Sequence, residues 1–218
     1  MNINYIKEIN ESRVYDVSAK TPISLLNKMS LQYSNEIYLK REDLQPIFSF
    51  KCRGAYNKIS SLSHEERASG IIAASAGNHA QGVALSASKL NIKATIVMPT
   101  TTPSIKIESV RKFGVKVELI GDSFDEAYEY ALEVSRNEGM VFIHPFDDPL
   151  VIAGQGTVAK EIVEEFKDEP DIFFIPVGGG GLISGMSLYL KTHYPNSKVY
   201  GVESQDAPTL FTSLENGK

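Results

Sequence analysis

The 218-residue chain is 42% hydrophobic and 22% charged, with 16 Gly, 10 Pro and a single Cys. That mix excludes a disordered polymer, a collagen-like repeat and a disulfide scaffold. Its 22 Lys and Arg against 27 Asp and Glu give a formal charge of −5 without a basic block, so a nucleic-acid partner is not indicated. The length suits one large domain or two small ones. The start of the chain is too polar for a signal peptide, and no apolar run approaches the ~20 residues of a membrane span. Cys52 has no partner for an internal disulfide, and the expected location is a reducing cytoplasm.

In chain order, Thr21-Pro22 reads as a capping hydroxyl before a proline at the first helical position. Glu36–Lys40 reads as a strand, and Ser63-x-x-Glu66 as a capping box whose helix stops at Gly70. Strands follow at Ile71–Ala74 and Lys93–Met98, then a second cap-and-proline start at Thr102-Pro103 with a stop at Gly114. Val115–Ile120 is the next strand, and Ser123-x-x-Glu126 opens a helix that Gly139 closes. The remaining strands are Met140–His144, Asp171–Val177 and Lys198–Glu203, ahead of a helix over Ala207–Gly217. Repeated strand, helix, strand order demands right-handed crossovers and a mostly parallel sheet. The two prolines and two acids of His144–Pro149 interrupt that rhythm and mark a domain crossing. The strands from Ile71 to His144 then form one α/β layer, and those on either side form another.

Among the candidate sites, Gly178-Gly179-Gly180-Gly181-Leu182 follows the buried strand Asp171–Val177 and leads into a helix through Lys191. Bare backbone N–H groups and the positive end of a helix converge there, which makes an anion cradle, above all for phosphate. The alternative is a merely flexible loop, but four consecutive glycines cost chain entropy that close approach of a ligand explains. The loop lacks the Gly-Lys-Ser/Thr ending of a triphosphate-binding loop, and it misses GxGxxG. Gly154-Gln155-Gly156-Thr157-Val158-Ala159 does read as GxGxxA, but a proline-broken turn precedes it where the dinucleotide fingerprint needs a strand. It is taken as a closely packed helix start near the ligand.

Ser75-Ala76-Gly77-Asn78-His79-Ala80-Gln81-Gly82 also joins a strand to a helix N-terminus, with Asn78 able to cap it. A carboxylate or a ring hydroxyl fits such a place. The bland reading is a capped helix with His79 and Gln81 facing solvent. Lys51 lies among aromatic and small neighbours in Phe48-Ser49-Phe50-Lys51-Cys52-Arg53-Gly54-Ala55. A desolvated lysine loses affinity for its proton and condenses with carbonyls, although most lysines are solvated surface residues. Cys52 has no base placed beside it and reads as a small buried residue. His64, His79, His144 and His193 show no metal-ligand spacing.

Together Lys40-Arg41-Glu42-Asp43, Ser49-Phe50-Lys51-x-Arg53-Gly54-Ala55, Ser75 to Gly82 and Gly178 to Leu182 resemble the threonine dehydratase (threonine ammonia-lyase) family, in order from about residue 10 to the end. The resemblance implies an α/β fold-type II enzyme of the tryptophan-synthase β-like kind, two open parallel-sheet domains with pyridoxal 5'-phosphate between them. By that resemblance residues 1–48 and 146–218 form the large cofactor-binding domain, and residues 49–145 the small one. Lys51 is then the catalytic lysine that holds the cofactor, Phe50 packs beside its ring and Asn78 bonds its ring hydroxyl. Gly178, Gly179, Gly180, Gly181 and Leu182 wrap its phosphate, while Ser75, Ala76, Gly77, Asn78 and His79 hold the substrate carboxylate.

The implied reaction is dehydration and deamination of L-threonine to 2-oxobutanoate, or of L-serine to pyruvate, with release of ammonia, as in isoleucine biosynthesis. Serine racemase, cysteine synthase and an inactive cofactor-binding fragment are the alternatives. Family racemases place a serine where this chain has Ala76, which favours elimination. In the family the catalytic unit continues past the equivalent of Lys218 and supplies the partner of the pyridine nitrogen, so the resemblance implies a C-terminally truncated chain. A small-molecule amino-acid substrate, a homo-oligomer of the full-length form and no nucleic-acid or membrane partner complete the expectation.

Overall fold

The computed structural model describes residues 3–217. The chain opens with α1 (Tyr5–Glu11), whose first turn is capped by the Asn4 side chain, and continues into a short antiparallel ribbon. The ribbon pairs β1 (Ile23–Leu25) with β2 (Tyr38–Lys40) around α2 (Asn27–Tyr33). It corrects the reading of Thr21-Pro22 as a helix start. The Pro22 carbonyl accepts from the Arg41 N–H at 3.1 Å, and the Thr21 hydroxyl donates to Glu42 at 2.6 Å instead of capping a turn.

The middle of the chain alternates regularly: α3 (Lys51–Ser60), α4 (His64–Ser69), β3 (Ile71–Ala74), α5 (Asn78–Leu90), β4 (Ala94–Met98), α6 (Ser104–Arg111), β5 (Lys116–Leu119), α7 (Phe124–Glu138) and β6 (Val141–Phe142). Both capping boxes form, Ser63 with Glu66 on α4 and Ser123 with Glu126 on α7. Gly70 and Gly139 end those helices at φ of 84° and 70°, where a side chain would be strained. Thr102-Pro103 departs from expectation, because Pro103 takes the cap position and the Thr102 hydroxyl is buried without a partner. The strands match their expected places, with ends shorter by up to two residues.

These strands make one parallel sheet in the order β5-β4-β3-β6. Every residue of β3 and β4 is buried, as a parallel sheet covered on both faces requires. Ile71, Ala73, Ile96 and Met98 point to one face and meet Ala80, Val83 and Ala84 of α5 and Ile107 and Val110 of α6. Ile72, Ala74 and Val97 point to the other and meet Ala127 and Ala131 of α7. The chain builds outward from β3 through β4 to β5, then returns to lay β6 on the opposite side of β3. Such a reversal opens a crevice at the carboxyl ends of the strands on either side of it.

The rest of the chain is α8 (Pro149–Glu165), β7 (Ile172–Pro176), α9 (Gly181–His193), β8 (Lys198–Val202) and α10 (Thr209–Glu215), with β7 and β8 paired in parallel. Ile175 packs inward with Ile162 and Val158 of α8 and Met186 and Leu190 of α9. Gly154 and Gly156 lie inside α8, which corrects their reading as a helix start. The helix begins at Pro149, where the Asp148 carboxylate accepts from the Leu150 and Val151 N–H groups at 2.8 and 3.2 Å. The glycines admit other backbones: a Cβ on Gly154 would stand 2.7 Å from the Gly54 Cα, and one on Gly185 2.7 Å from the Gly156 N. Helices α3 and α9 therefore cross α8 at backbone contact. On its other side α3 touches α5, where a Cβ on Gly82 would come 2.9 Å from the Lys51 carbonyl.

Candidate active site

Lys51 is the first residue of α3, and that helix is wedged between α5 and α8, so its backbone is fixed from two sides. Its amine donates to the Pro145 carbonyl at 2.7 Å and lies 5.6 Å from the centre of the Phe50 ring. Burial draws its pKa down to about 8, as removal of water disfavours the charged ammonium. Phe50 itself packs on the core of α8 and α9. Just upstream, Phe48 has a left-handed backbone at φ 57°, held by its N–H donating to the Gln45 carbonyl at 2.8 Å. Burial pushes the neighbouring Cys52 thiol up, which disarms it as a nucleophile.

The glycine loop leaves the carboxyl end of β7 and turns at Gly180, φ 88°, into α9. The Val177 N–H is used by the Val202 carbonyl, and Ser184 begins the helical bonding to Gly180. The N–H groups between lie at a helix start, where no intrahelical acceptor reaches them. Cβ atoms on Gly178 or Gly180 would meet nothing within 4 Å, whereas one on Gly179 would overlap the Phe146 ring and one on Gly181 would lie 2.9 Å from the Phe146 carbonyl. One side of the loop is open to a ligand. The other is backed by Phe146.

Pro145 and Phe146 thus join the two halves of the site, one holding the Lys51 amine and the other the loop. They follow β6, and Ser75 to Asn78 follow β3, so the two segments end adjacent strands at the crevice set by the sheet order. Ser75 Oγ accepts from the Gly77 N–H at 3.1 Å and shapes that loop. Gly77, not Asn78, occupies the cap position of α5, and Asn78 is the first helical residue with an exposed side chain. His79 is the reverse of the solvent-facing residue that the bland reading made it. Its ring is buried, Nε2 donates to the Ile143 carbonyl at 2.9 Å, and burial lowers its pKa to about 3 despite that bond.

Two features escaped the sequence reading. Phe146 carried no motif. Arg53, recognised only as part of a pattern, is fully buried and ties α3 to its surroundings. Its guanidinium donates twice to Glu42, at 2.8 and 2.8 Å, and to Glu161 at 2.6 and 3.1 Å, while Lys40 reaches Glu161 at 2.6 Å. Burial alone would raise the Glu161 carboxyl, but Arg53 and Lys40 hold it below the usual carboxylate range. The Lys40-Arg41-Glu42-Asp43 signature supplies two members of this network. The signal was in the sequence, but its partner Glu161 lies over a hundred residues away.

A model of the family described as "Pyridoxal-phosphate dependent enzyme" matches residues 14–218. The chain is 53% identical over 216 residues to the biosynthetic L-threonine dehydratase of Haemophilus influenzae, covering 99% of this chain and 42% of that protein. To the mitochondrial threonine dehydratase of Saccharomyces cerevisiae it is 49% identical over 217 residues, or 99% of this chain and 38% of the other. The processed form of threonine deaminase isoform 2 from Solanum lycopersicum superposes at a TM-score of 0.95 with 52% identity, covering 98% of this chain and 58% of that one. Maize serine racemase superposes at 0.93 with 32% identity, over 100% and 65% of the two chains. The chain spans less than half the length of these curated dehydratases. It belongs to the pyridoxal-phosphate dependent enzyme family, with the α/β architecture of fold type II. Its residues suit that cofactor: the Gly178–Leu182 cradle offers backbone donors with open space before them, and the partly desolvated Lys51 amine suits an aldehyde.

Proposed function

We propose that this chain carries the cofactor and substrate site of an enzyme that converts L-threonine, and L-serine, to 2-oxobutanoate or pyruvate with release of ammonia. When bound, pyridoxal phosphate offers an aldehyde to the substrate amine and a ring that accepts the electron pair left at Cα. Lys51 is the proton carrier: with its pKa near 8 it gives up its proton far more readily than an ordinary lysine, and the Pro145 carbonyl orients its Nζ. The N–H groups of Gly178, Gly179, Gly180, Gly181 and Leu182 bind the phosphate, helped by the positive end of α9. Phe50 flanks the ring and Asn78 bonds its hydroxyl. The backbone N–H groups of Ala76, Asn78 and His79 take the substrate carboxylate at the start of α5, in a loop shaped by Ser75 and Gly77, whose own N–H groups donate to the Val97 carbonyl and to Ser75 Oγ.

The observation that carries this reading is the joining of the Lys51 amine and the glycine loop by the Pro145-Phe146 turn. The dehydratase likeness over nearly the whole chain supports this reaction. Ala76 supports elimination over racemisation, since its methyl group offers no second base to return the Cα proton with inverted geometry. Residues 49–145 are read as the small domain and residues 1–48 and 146–218 as the large one, with α3 leading from the second into the first. A cytoplasmic, isoleucine-forming role and assembly into a homo-oligomer go with this reading. The exposed apolar Met29, Leu31 and Tyr33 of α2 suit such an assembly. Among the described residues no helix is long and apolar enough to cross a membrane.

The test is to load the purified protein with pyridoxal phosphate and follow keto acid and D-amino acid from L-threonine and L-serine. Keto acids are expected from both. Accumulation of D-serine at a rate comparable with pyruvate would replace the reading with racemisation.

A further inference from the structure

His144 stands at the start of the turn that joins Lys51 to the glycine loop, and no step proposed so far uses it. Its Nδ1 accepts from the Asp147 N–H at 2.8 Å and from the Phe146 N–H at 3.3 Å. An atom that accepts two hydrogen bonds cannot carry a proton, so the ring is neutral and its proton sits on Nε2. The same turn is pinned upstream, where the buried His79 donates to the Ile143 carbonyl, and downstream, where the Asp148 carboxylate caps α8 and pairs with Lys58 at 2.9 Å. Between these pins the conformation of residues 145–147 depends on the His144 acceptor.

We propose that His144 is a positioning residue for Lys51: as an unprotonated acceptor it fixes the turn whose Pro145 carbonyl seats the Lys51 amine and whose Phe146 ring backs the glycine loop. The proposal rests on the reading of Lys51 as the cofactor-holding lysine. Protonation of Nδ1 replaces an acceptor with a donor facing two N–H groups, and the turn must then open. Its surroundings are built to delay that event. The ring lies edge-to-face against Tyr128 from α7, Phe142 from β6 and Phe146 from the turn itself, at centroid distances of 6.3, 6.2 and 4.7 Å. The charged groups facing it are the Asp147 and Asp148 carboxylates and the Lys51 ammonium. Burial lowers its pKa against the pull of both carboxylates, and Lys51 adds to the lowering. A ligand-free pH response of the cofactor seat follows, located in one ring.

The full chain tests this through cofactor affinity, read by equilibrium dialysis and by the visible absorbance of bound pyridoxal phosphate from pH 8 down to pH 5. His144→Asn puts an amide oxygen where Nδ1 stood and does not titrate, whereas His144→Phe keeps the aromatic packing and removes the acceptor. At pH 8 His144→Asn should bind within about threefold of the unaltered protein, and His144→Phe about tenfold or more weaker. On acidification the unaltered protein should lose about tenfold more affinity than His144→Asn. Titration of the cofactor phosphate is common to both proteins and cancels in their ratio. Superimposable pH profiles for the unaltered protein and His144→Asn, or undiminished binding by His144→Phe, would overturn the proposal. Lys51→Ala separates the two levels: undiminished affinity and an unchanged spectrum in that variant would remove the underlying reading itself.

Discussion

The two parallel sheets of the molecule obey the same α/β logic with different completeness. In the β5-β4-β3-β6 sheet both central strands are buried along their whole length, with α5 and α6 on one face and α7 on the other. In the β7-β8 pair only Ile175 of β7 is buried, and Ile172, Phe174, Tyr200 and Val202 face outward. A parallel sheet is stable when both faces are covered, and the first sheet meets that condition from its own helices. The second meets it only on the side of α8 and α9. The glycine loop hangs from the less covered sheet and Lys51 stands at the edge of the better covered one. At the junction between them lie the Arg53 network, which ties α3 to α8 and to Glu42, and the Pro145-Phe146 turn, which touches both Lys51 and the loop.

The largest effect should come from breaking that junction. Arg53→Met leaves Glu42 without its buried cation and Glu161 with Lys40 alone, a loss of about 3 to 5 kcal/mol, measurable by urea unfolding. An unchanged midpoint would mean that the network is not what fixes α3. The contrast between the sheets is tested next by two matched truncations. Ile96→Ala in β4 should cost about 2 to 5 kcal/mol, and Phe174→Ala in β7, where the ring is 70% exposed, should stay within about 0.5 kcal/mol. Equal losses would contradict the contrast.

The better covered sheet also holds His79 neutral, and this gives it a distinctive acid response. A folded-state pKa near 3 against about 6.5 in the unfolded chain means that the unfolded state takes up the proton first. Stability from this group is complete above pH 6.5 and falls as pH drops toward 3, by about 2 kcal/mol at pH 5. The Glu161 contribution has the opposite origin: its depressed pKa costs stability only below the ordinary carboxylate range, so the window from pH 6.5 to 5 isolates the histidines. His79→Gln should flatten urea-unfolding stability across that window, and an unaltered slope would exclude His79 as its source. The smallest effects separate neighbours in the loop. Gly179→Ala pushes a methyl group into the Phe146 ring and should cost about 1 to 3 kcal/mol. Gly178→Ala meets open space and should stay within about 0.5 kcal/mol. A reversed order would show that Phe146 does not back the loop.

What the sequence disclosed divides along the same line, between local chemistry and distant contact. Both capping boxes, the stops at Gly70 and Gly139 and the strand Ile71–Ala74 were legible because each is written within a few consecutive residues. Thr21-Pro22 was misread because a hydroxyl before a proline suits a strand entry as well as a helix cap. The choice was made by Glu42 and Arg41, some twenty residues on. Gly154 and Gly156 imitated a phosphate loop because close approach of a helix backbone and close approach of a ligand ask for the same missing side chain. Among the candidate residues, Lys51 stood out by its aromatic and small neighbours, and Ser75–His79 and Gly178–Leu182 by their places between a strand and a helix. Phe146 and the Arg53 partners did not, since a lone aromatic and a lone glutamate on a helix signal nothing until the fold sets them against a glycine or a guanidinium.

The central claim is that Lys51 is the lysine that engages the cofactor, and covalent mapping tests it most directly. The protein is incubated with pyridoxal phosphate, reduced with borohydride, digested, and the modified lysine located by mass spectrometry. A single stoichiometric adduct on Lys51, absent from Lys51→Ala, is the expected result. An adduct on any other lysine with Lys51 left unmodified would contradict the account.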